Sequence, residues 1–260
     1  MAAPARRGGP EFARSVYLSA NRPEAVRDMS CWCVVGISGS NPVQIGGGES
    51  VDPELIEANA YRILRSRIDL SHLPPFTRAV TERMIYVSTD FDYATDLVSN
   101  EGTLAAAVAA LAAGAPVIAD VAMVAAGITT RPAICKIDDP LTRRLARVTG
   151  LTPAAAAVRL ALGDVGPGAI WVVGAASAAL EEIIQRGAAP ALVIGMPAGL
   201  VGAAEAKQAL RASGLPSLTN MSEKGGAEVA AAAADALLRA AADQADEDPA
   251  PGGPSAARTS

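Results

Sequence analysis

The stretch Pro190–Leu210 constrains the fold of this chain most strongly, because it places a strand, a glycine-rich turn and a helix in direct succession. The apolar residues 190–194 predict a buried strand. The glycines and the proline in residues 195–202 allow a tight turn that leaves backbone amides exposed at the start of a helix. Such a turn either contacts a polar ligand group or only satisfies the sterics of the reversal. We assign Gly195 and Met196 to the candidate ligand site.

The composition excludes several classes of function. Half of the 260 residues are apolar, so the chain can bury a sizeable core, whereas aromatic residues make up 3% and the net charge is −5. This balance predicts no nucleic-acid partner, and no apolar run is long enough to predict a membrane span. We expect a cytoplasmic protein. Cys31, Cys33 and Cys135 fit neither a disulfide framework nor a zinc site, and no nucleotide-binding motif is present, so we predict no metal and no cofactor.

The pattern divides the chain into three parts. Residues 1–50 are predicted to be a disordered or non-core extension, residues 51–243 the folded domain, and residues 244–260 a disordered tail. The domain opens with helices predicted from Pro53 to about residue 68, from Phe76 to about Ser88, and over Glu101–Ala113.

After these helices, strands and helices alternate. The predicted strands are 115–120, Ala133–Ile137, Ala169–Val173, Pro190–Ile194 and Leu215–Thr219. The predicted helices are Leu141–Thr149, Pro153–Leu162, Ala175–Arg186, Gly202–Ser213 and Gly226–Ala241. This alternation predicts a single α/β domain with a mostly parallel sheet, helices on both faces, and ligands at the carboxyl ends of the strands.

Four segments carry a resemblance to a known family: IDLSHLP, AAGAPVIADVAMVAAGI, GMPAGLVGAAEAK and KGGAEVAAAA. In this order and spacing they resemble the precorrin-8X methylmutases, the precorrin isomerases of cobalamin biosynthesis, over about residues 51–238. The resemblance implies a homodimer with a pocket near the subunit interface that holds a corrin-ring precursor. It also implies an isomerase that moves a methyl group between neighbouring ring carbons without an added cofactor.

Several positions depart from the family pattern. Tyr86 stands where the family has a catalytic histidine that gives or shares a proton with the tetrapyrrole, and Ala60 stands in place of a serine. Pro153, beside Thr152, replaces an arginine, and residues 221–226 keep only the lysine of a basic stretch. A phenol donates a hydrogen bond but is a weaker acid than imidazole, and fewer cations weaken binding of a carboxylate-rich ring.

Two residues are the catalytic candidates. Asp120 ends the predicted strand 115–120 and matches an aspartate of the family, and Tyr86 occupies the histidine position. At helical spacing Tyr86 and Asp90 would share a face and position a proton, although Asp90 also fits a helix cap or a surface carboxylate. His72 is predicted to be a solvated loop residue.

The substrate-binding candidates are polar or small residues of the predicted pocket. Besides Gly195 and Met196 they are Ala60, Asp90, Thr129, Thr130, Arg131, Thr152, Ser177, Asn220, Ser222 and Lys224. Arg131 equally fits a surface position.

Three functions follow from the resemblance and its departures. The substitutions favour a repurposed small-molecule isomerase or cyclase that rearranges an uncharged or weakly charged unsaturated substrate in specialised metabolism. The first alternative is a precorrin-8X methylmutase in which Tyr86 donates the proton. The second is a non-catalytic ligand-binding homologue that keeps the fold and the dimer.

Overall fold

The computed structural model describes residues 43–44 and 50–247. The predicted extension (residues 1–50) therefore lies outside the described residues except for 43–44 and Ser50, and so do residues 248–260 of the predicted tail. Two short strands, β1 (Val43–Gln44) and β2 (Ser50–Val51), pair antiparallel before the main domain begins.

A six-stranded sheet forms the centre of the domain. Its strands are β3 (Leu97–Val98), β4 (Val117–Ala119), β5 (Ile134–Cys135), β6 (Ile170–Val173), β7 (Leu192–Gly195) and β8 (Ser217–Asn220). Their spatial order is β3-β8-β7-β6-β4-β5, and only the edge strand β3 runs antiparallel to its neighbour. In the register Trp171 lies beside Val193, and Leu97 lies beside Asn220.

Ten helices surround this sheet within the described part of the chain. They are α1 (Pro53–Arg67), α2 (Pro75–Ser88), α3 (Tyr93–Asp96), α4 (Glu101–Ala112), α5 (Ala122–Gly127), α6 (Pro140–Thr149), α7 (Pro153–Val165), α8 (Ser177–Gln185), α9 (Ala203–Ala212) and α10 (Ala227–Glu247). Proline at the first position and an aspartate or threonine cap start α1, α6 and α7, because this cap supplies an acceptor for an unpaired amide.

The sheet has an apolar core on each face. Alternate residues of β6 point to opposite sides, so that Ile170 and Val172 join the core beneath α2, α4 and α10, while Trp171 and Val173 join the core beneath α7, α8 and α9. Every residue of β6 is buried, as expected for a parallel strand covered on both faces.

Small residues let α10 pack closely against its neighbours. A Cβ atom at Gly127 would lie 2.8 Å from Ala231 Cβ, and one at Gly174 would lie 2.7 Å from Ala227 Cα. The alanines of α10 thus bring this helix into contact with α2, α4 and α5 as well as the sheet. This packing fixes the end of α2 relative to the strands.

The predicted fold class is confirmed, and the predicted strands and helices lie within a few residues of their expected bounds. Five elements were missed, namely β1, β2, α3, β3 and α5, because each has only two to six residues and no measurable periodicity. Helix α10 ends at Glu247, so residues 244–247 of the predicted tail are helical.

Candidate functional site

The loops after β4, β6, β7 and β8 lie at one edge of the sheet, because parallel strands present their carboxyl ends together. These loops are residues 120–121, 174–176, 196–202 and 221–226. The segment that follows α2 reaches the same edge, where Lys224 contacts Asp90. This edge therefore collects most of the predicted site residues.

Asp120 holds the loop that follows β6. Its carboxylate accepts hydrogen bonds from the backbone amides of Gly174, Ala175 and Ala176, at 3.3, 2.9 and 3.0 Å. Burial raises the pKa of Asp120, and the amide donors act in the opposite direction. Both oxygens are engaged within the protein, so Asp120 shapes the site edge by fixing the backbone before Ser177.

Lys207, which the sequence did not single out, organises a buried polar cluster at the end of β8. Its Nζ donates to Asn220 Oδ1 (2.9 Å) and to the backbone carbonyls of Ser222 (2.5 Å) and Lys224 (2.8 Å). Asp96 accepts from Asn220 Nδ2 (2.9 Å) and from Ser222 Oγ (2.6 Å). The structure thus brings the predicted residues Asn220 and Ser222 together. The available signal was a lysine among alanines in α9.

An ion-pair bridge connects the segment after α2 to the loop after β8. Lys224 Nζ lies 2.7 Å from Asp90 Oδ2 and 2.5 Å from Asp92 Oδ2. The hydrogen bond from Lys224 lowers the pKa of Asp90. The prediction that Asp90 and Tyr86 share a helical face is wrong. Helix α2 ends at Ser88, and Thr89 has a left-handed backbone (φ 54°).

Tyr86 stacks on Tyr61, its neighbour on α1. The two ring centroids are 5.2 Å apart and the ring planes differ by 9°. The Arg83 guanidinium lies 5.1 Å from the Tyr86 centroid, and Arg65 lies 5.6 Å from the Tyr61 centroid. The catalytic candidate therefore belongs to a small aromatic and cationic cluster.

A cleft of about 420 Å³ opens between α1, α2 and α10 beside this cluster. Its lining consists of small, aromatic and charged residues, namely Ala58, Tyr61, Arg65, Ala79, Glu82, Arg83, Ala236, Arg239, Ala240 and Asp243. Burial raises the pKa of the Tyr61 hydroxyl, and the nearby Arg83 guanidinium opposes this change. The Tyr61 hydroxyl is therefore a neutral hydrogen-bond donor at physiological pH.

Thr129 and Thr130 are attached to α10 through Asp235. Its carboxylate accepts from the Thr129 backbone amide (3.0 Å), the Thr129 hydroxyl (2.7 Å) and the Thr130 amide (3.1 Å). The neighbouring Arg131 donates to the carbonyls of Leu111 (3.2 Å) and Ala115 (2.7 Å). Arg131 therefore anchors its loop to the turn between α4 and β4, while the Thr130 side chain is exposed.

The remaining candidates are distributed over several elements: Ala60, Thr152, Ser177, Gly195 and Met196. Thr152 caps α7 by accepting from Ala155 N at 3.3 Å, and Ser177 is the first residue of α8. Gly195 has no room for a side chain, because its Cβ would lie 2.7 Å from Leu210 Cδ2. Met196 is buried in the core, and Ala60 lies half-buried on α1 beside Tyr61. His72 is exposed, as predicted.

Large apolar side chains are exposed along the same edge. Leu200 and Val201, in the loop after β7, are 94% and 92% exposed. Met221, after β8, and Met123, in α5, are also exposed. Four such residues on neighbouring loops form an apolar rim, a name we keep for this set.

The described residues contain neither a candidate metal cluster nor a single membrane-spanning helix. No cluster of three or more histidine, cysteine, aspartate or glutamate side chains with metal-binding geometry occurs among them. No single helix in the described part of the chain is both long and apolar enough to cross a membrane, whereas α6 and α7 reach the required length only together and meet at a bend of 114°.

The fold defines the chain as an α/β protein with a mostly parallel sheet, and its candidate ligand site lies at the carboxyl ends of the strands. The precorrin-8X methylmutase family model matches residues 55–240, and the chain belongs to this family. A cobalt-precorrin-8 methylmutase of Methanothermobacter thermautotrophicus is 37% identical over 195 residues, covering 73% of this chain and 94% of that protein. One from Salmonella typhimurium is 33% identical over 198 residues, covering 72% and 94%.

A solved structure supports the same assignment. The precorrin-8X methylmutase of Thermus thermophilus superimposes with a TM-score of 0.68 at 33% identity, over 74% of this chain and 97% of that one. The predicted family and the predicted isomerase class are confirmed by these relatives. The comparisons do not support the repurposed enzyme of specialised metabolism, and they favour the first alternative, a methylmutase-type isomerase.

Proposed function

We propose that this chain is a precorrin-8-type methylmutase, which moves a methyl group between neighbouring carbons of a corrin-ring precursor in cobalamin biosynthesis. The match to cobalt-precorrin-8 methylmutases over 94% of their length carries the proposal. The family model matches residues 55–240, which include all loops at the carboxyl edge.

Tyr86 acts as the hydrogen-bond donor to the ring in this proposal. A phenol hydroxyl donates a hydrogen bond and can stabilise charge without transferring its proton. Such a donor stabilises negative charge that develops on a ring atom during the shift, provided that the ring is held in a reactive geometry. The reaction is then an intramolecular rearrangement in which the protein supplies orientation and one donor.

The loops of the carboxyl edge hold the substrate in this proposal. Ser177 offers a polar contact, and Lys224, 41% exposed in its side chain, offers a cation to a ring carboxylate in exchange for its contacts with Asp90 and Asp92. Thr130 lies in the loop before β5, at the opposite edge of the sheet. Asp120 contributes by fixing the loop before Ser177. A second copy of the chain covers the apolar rim, so that the site lies near the interface of a homodimer.

An assay with purified protein tests the proposal. Cobalt-precorrin-8 and metal-free precorrin-8X are offered separately, and the change in absorbance to the isomerised ring is followed for the native protein, Tyr86→Phe and Tyr86→His. We expect native turnover, a loss of about tenfold or more in kcat for Tyr86→Phe, and recovery in Tyr86→His.

Each other outcome identifies a different function. Binding without turnover by the native protein indicates a non-catalytic ligand-binding homologue. If the native protein shows neither binding nor turnover, its substrate is a less charged unsaturated molecule. Tyr86 and the acidic Glu223 in the loop after β8 favour such a substrate.

A further inference from the structure

Tyr86 belongs to a cluster of four residues from two helices. Glu57 and Tyr61 lie one turn apart on α1, and Arg83 and Tyr86 lie one turn apart on α2. The aromatic members face each other, and the charged members form a salt bridge of 2.7 Å. The cluster is therefore held at both its aromatic and its ionic end.

The stack limits the orientation of the Tyr86 ring. Near-parallel rings with centroids 5.2 Å apart lie within the range of favourable offset stacking, so rotation of one ring loses contact with the other. Tyr61 also lines the 420 Å³ cleft, which places it between the cleft and the Tyr86 ring. The direction of the Tyr86 hydroxyl therefore depends on Tyr61.

Arg83 is the second constraint on this ring. Its side chain is 13% exposed, its guanidinium lies over the Tyr86 ring at 5.1 Å, and its Nη1 is fixed by Glu57. Glu57 is in turn held by Arg239 of α10 at 3.2 Å. The Arg83 Nε atom is buried without a hydrogen-bond partner, a cost that the contacts with Glu57 and the ring offset.

We propose that Tyr61 and Arg83 are positioning residues for Tyr86: they fix its ring plane and the direction of its hydroxyl toward the substrate. Neither residue carries out the chemistry. For the catalytic consequence, this inference rests on the proposed function, in which Tyr86 touches the ring. The geometric part concerns only the protein and is testable without substrate.

A pair of variants separates the ring of Tyr61 from its hydroxyl. Tyr61→Phe keeps the stacked ring, whereas Tyr61→Leu keeps apolar volume and removes the stack. We expect kcat within about twofold of native for Tyr61→Phe, and a fall of about tenfold or more for Tyr61→Leu with KM changed by less than about twofold. Equal kcat values in the two variants would overturn the role of the stack.

A matched pair tests the cation. Arg83→Met removes the guanidinium over Tyr86 and leaves Glu57 paired with Arg239. Arg65→Met removes the guanidinium over Tyr61 together with its two hydrogen bonds to Glu82, and leaves the guanidinium over Tyr86 in place. Chemical denaturation gives the folded fraction of each variant, and kcat is expressed per folded molecule. We expect kcat to fall about tenfold for Arg83→Met and to change little for Arg65→Met. A larger loss for Arg65→Met would contradict the proposal.

Fluorine NMR reports the position of the ring directly. The chain has four tyrosines, so 3-fluorotyrosine labelling gives few resonances, and Tyr86→Phe assigns the one that matters. We expect the chemical shift of this resonance to change little in Tyr61→Phe. In Tyr61→Leu and Arg83→Met we expect a change several times larger than in Tyr61→Phe. An unmoved resonance in both variants would refute positioning even if the native protein turns over. A moved resonance with no native turnover of cobalt-precorrin-8 would refute the proposed function alone.

Discussion

At the scale of single residues, the partners of a polar group decide which role it has in the site. Asp120 has an attractive position for ligand binding at the end of β4, yet its two oxygens accept three backbone amides. These donors come from residues 54 to 56 positions later in the chain, so no local pattern predicts them. Tyr86, in contrast, is held through its ring, by the stack on Tyr61 and by the guanidinium of Arg83.

Tyr93 gives a prediction for alkaline pH. It is 2% exposed, and burial, with added repulsion from Asp90 and Asp96, raises its pKa from the ordinary value of 10.0 to about 12. The folded protein therefore holds the phenol proton more tightly than the unfolded chain. The resulting stability is present below about pH 10 and is lost as the pH rises toward about 12, by about 3 kcal/mol in all.

Tyr93→Phe removes this contribution. We expect the native protein to lose more unfolding free energy between about pH 9 and about pH 11 than the variant does, measured by urea denaturation at each pH. Titration of tyrosinate absorbance is the second measurement, and the variant should lack the transition with the highest pKa. Equal losses in the two proteins would show that another group causes the alkaline instability.

At the scale of elements, the apolar pattern predicted the alternation of strands and helices. Strand β6 is a continuous apolar run that is buried on both faces, whereas helix α8 buries residues at helical spacing. Strand β3 could not be predicted, since two residues carry no period and Leu97 pairs with Asn220, more than a hundred positions away. The end of α2 was predicted at about Ser88 and is confirmed, whereas the helical spacing of Tyr86 and Asp90 was wrong, because the left-handed Thr89 lies between them.

The sequence predicted the place of the site in the fold, but it did not predict the contacts that hold the site residues. The carboxyl ends of the strands were expected to collect Asp120, Asn220, Ser222 and Lys224, and they do. The residues that hold these groups, such as Lys207, were not found, because tertiary pairing alone gives them a role.

Lys207 carries a prediction for the loop after β8. Its replacement in Lys207→Met leaves Asn220 Oδ1 without a donor and removes one of the two donors to the carbonyls of Ser222 and Lys224. Because an unsatisfied buried acceptor or a lost hydrogen bond to a charged group costs about 1–3 kcal/mol, we expect a loss of unfolding free energy on the order of 3 kcal/mol. Hydrogen exchange of the amides in residues 221–226 should accelerate more than exchange in β6.

Gln208→Met is the matched control for this experiment. It introduces the same side chain at the next position of α9, where the native side chain is exposed. This variant should change the unfolding free energy by less than about 0.5 kcal/mol. If both variants lose similar stability, the hydrogen bonds of Lys207 contribute little to the loop.

At the scale of the whole molecule, small side chains allow one long helix to contact several layers. Helix α10 packs on the sheet and on α2, α4 and α5, and a methyl group at Gly127 or Gly174 would clash with it. The helix thereby couples the Tyr86 cluster, through Arg239, to the loop after β8, which α10 follows directly. The polar contacts of the site face this interior, whereas the apolar rim faces outward.

The apolar rim predicts the mode of assembly. Leu200 and Val201 are almost fully exposed, and burial of one such side chain contributes about 1.5–3 kcal/mol. We therefore expect the native protein to be a homodimer by light scattering, and Leu200→Ser/Val201→Ser to raise the dimer Kd by about a hundredfold or more. The control Val148→Ser alters another exposed apolar residue, on α6, and should leave Kd unchanged. Because the proposed site lies near the rim, dilution of the double variant should lower its specific activity in parallel with dissociation. A native monomer, or a control that dissociates as readily as the double variant, would contradict assembly through this edge.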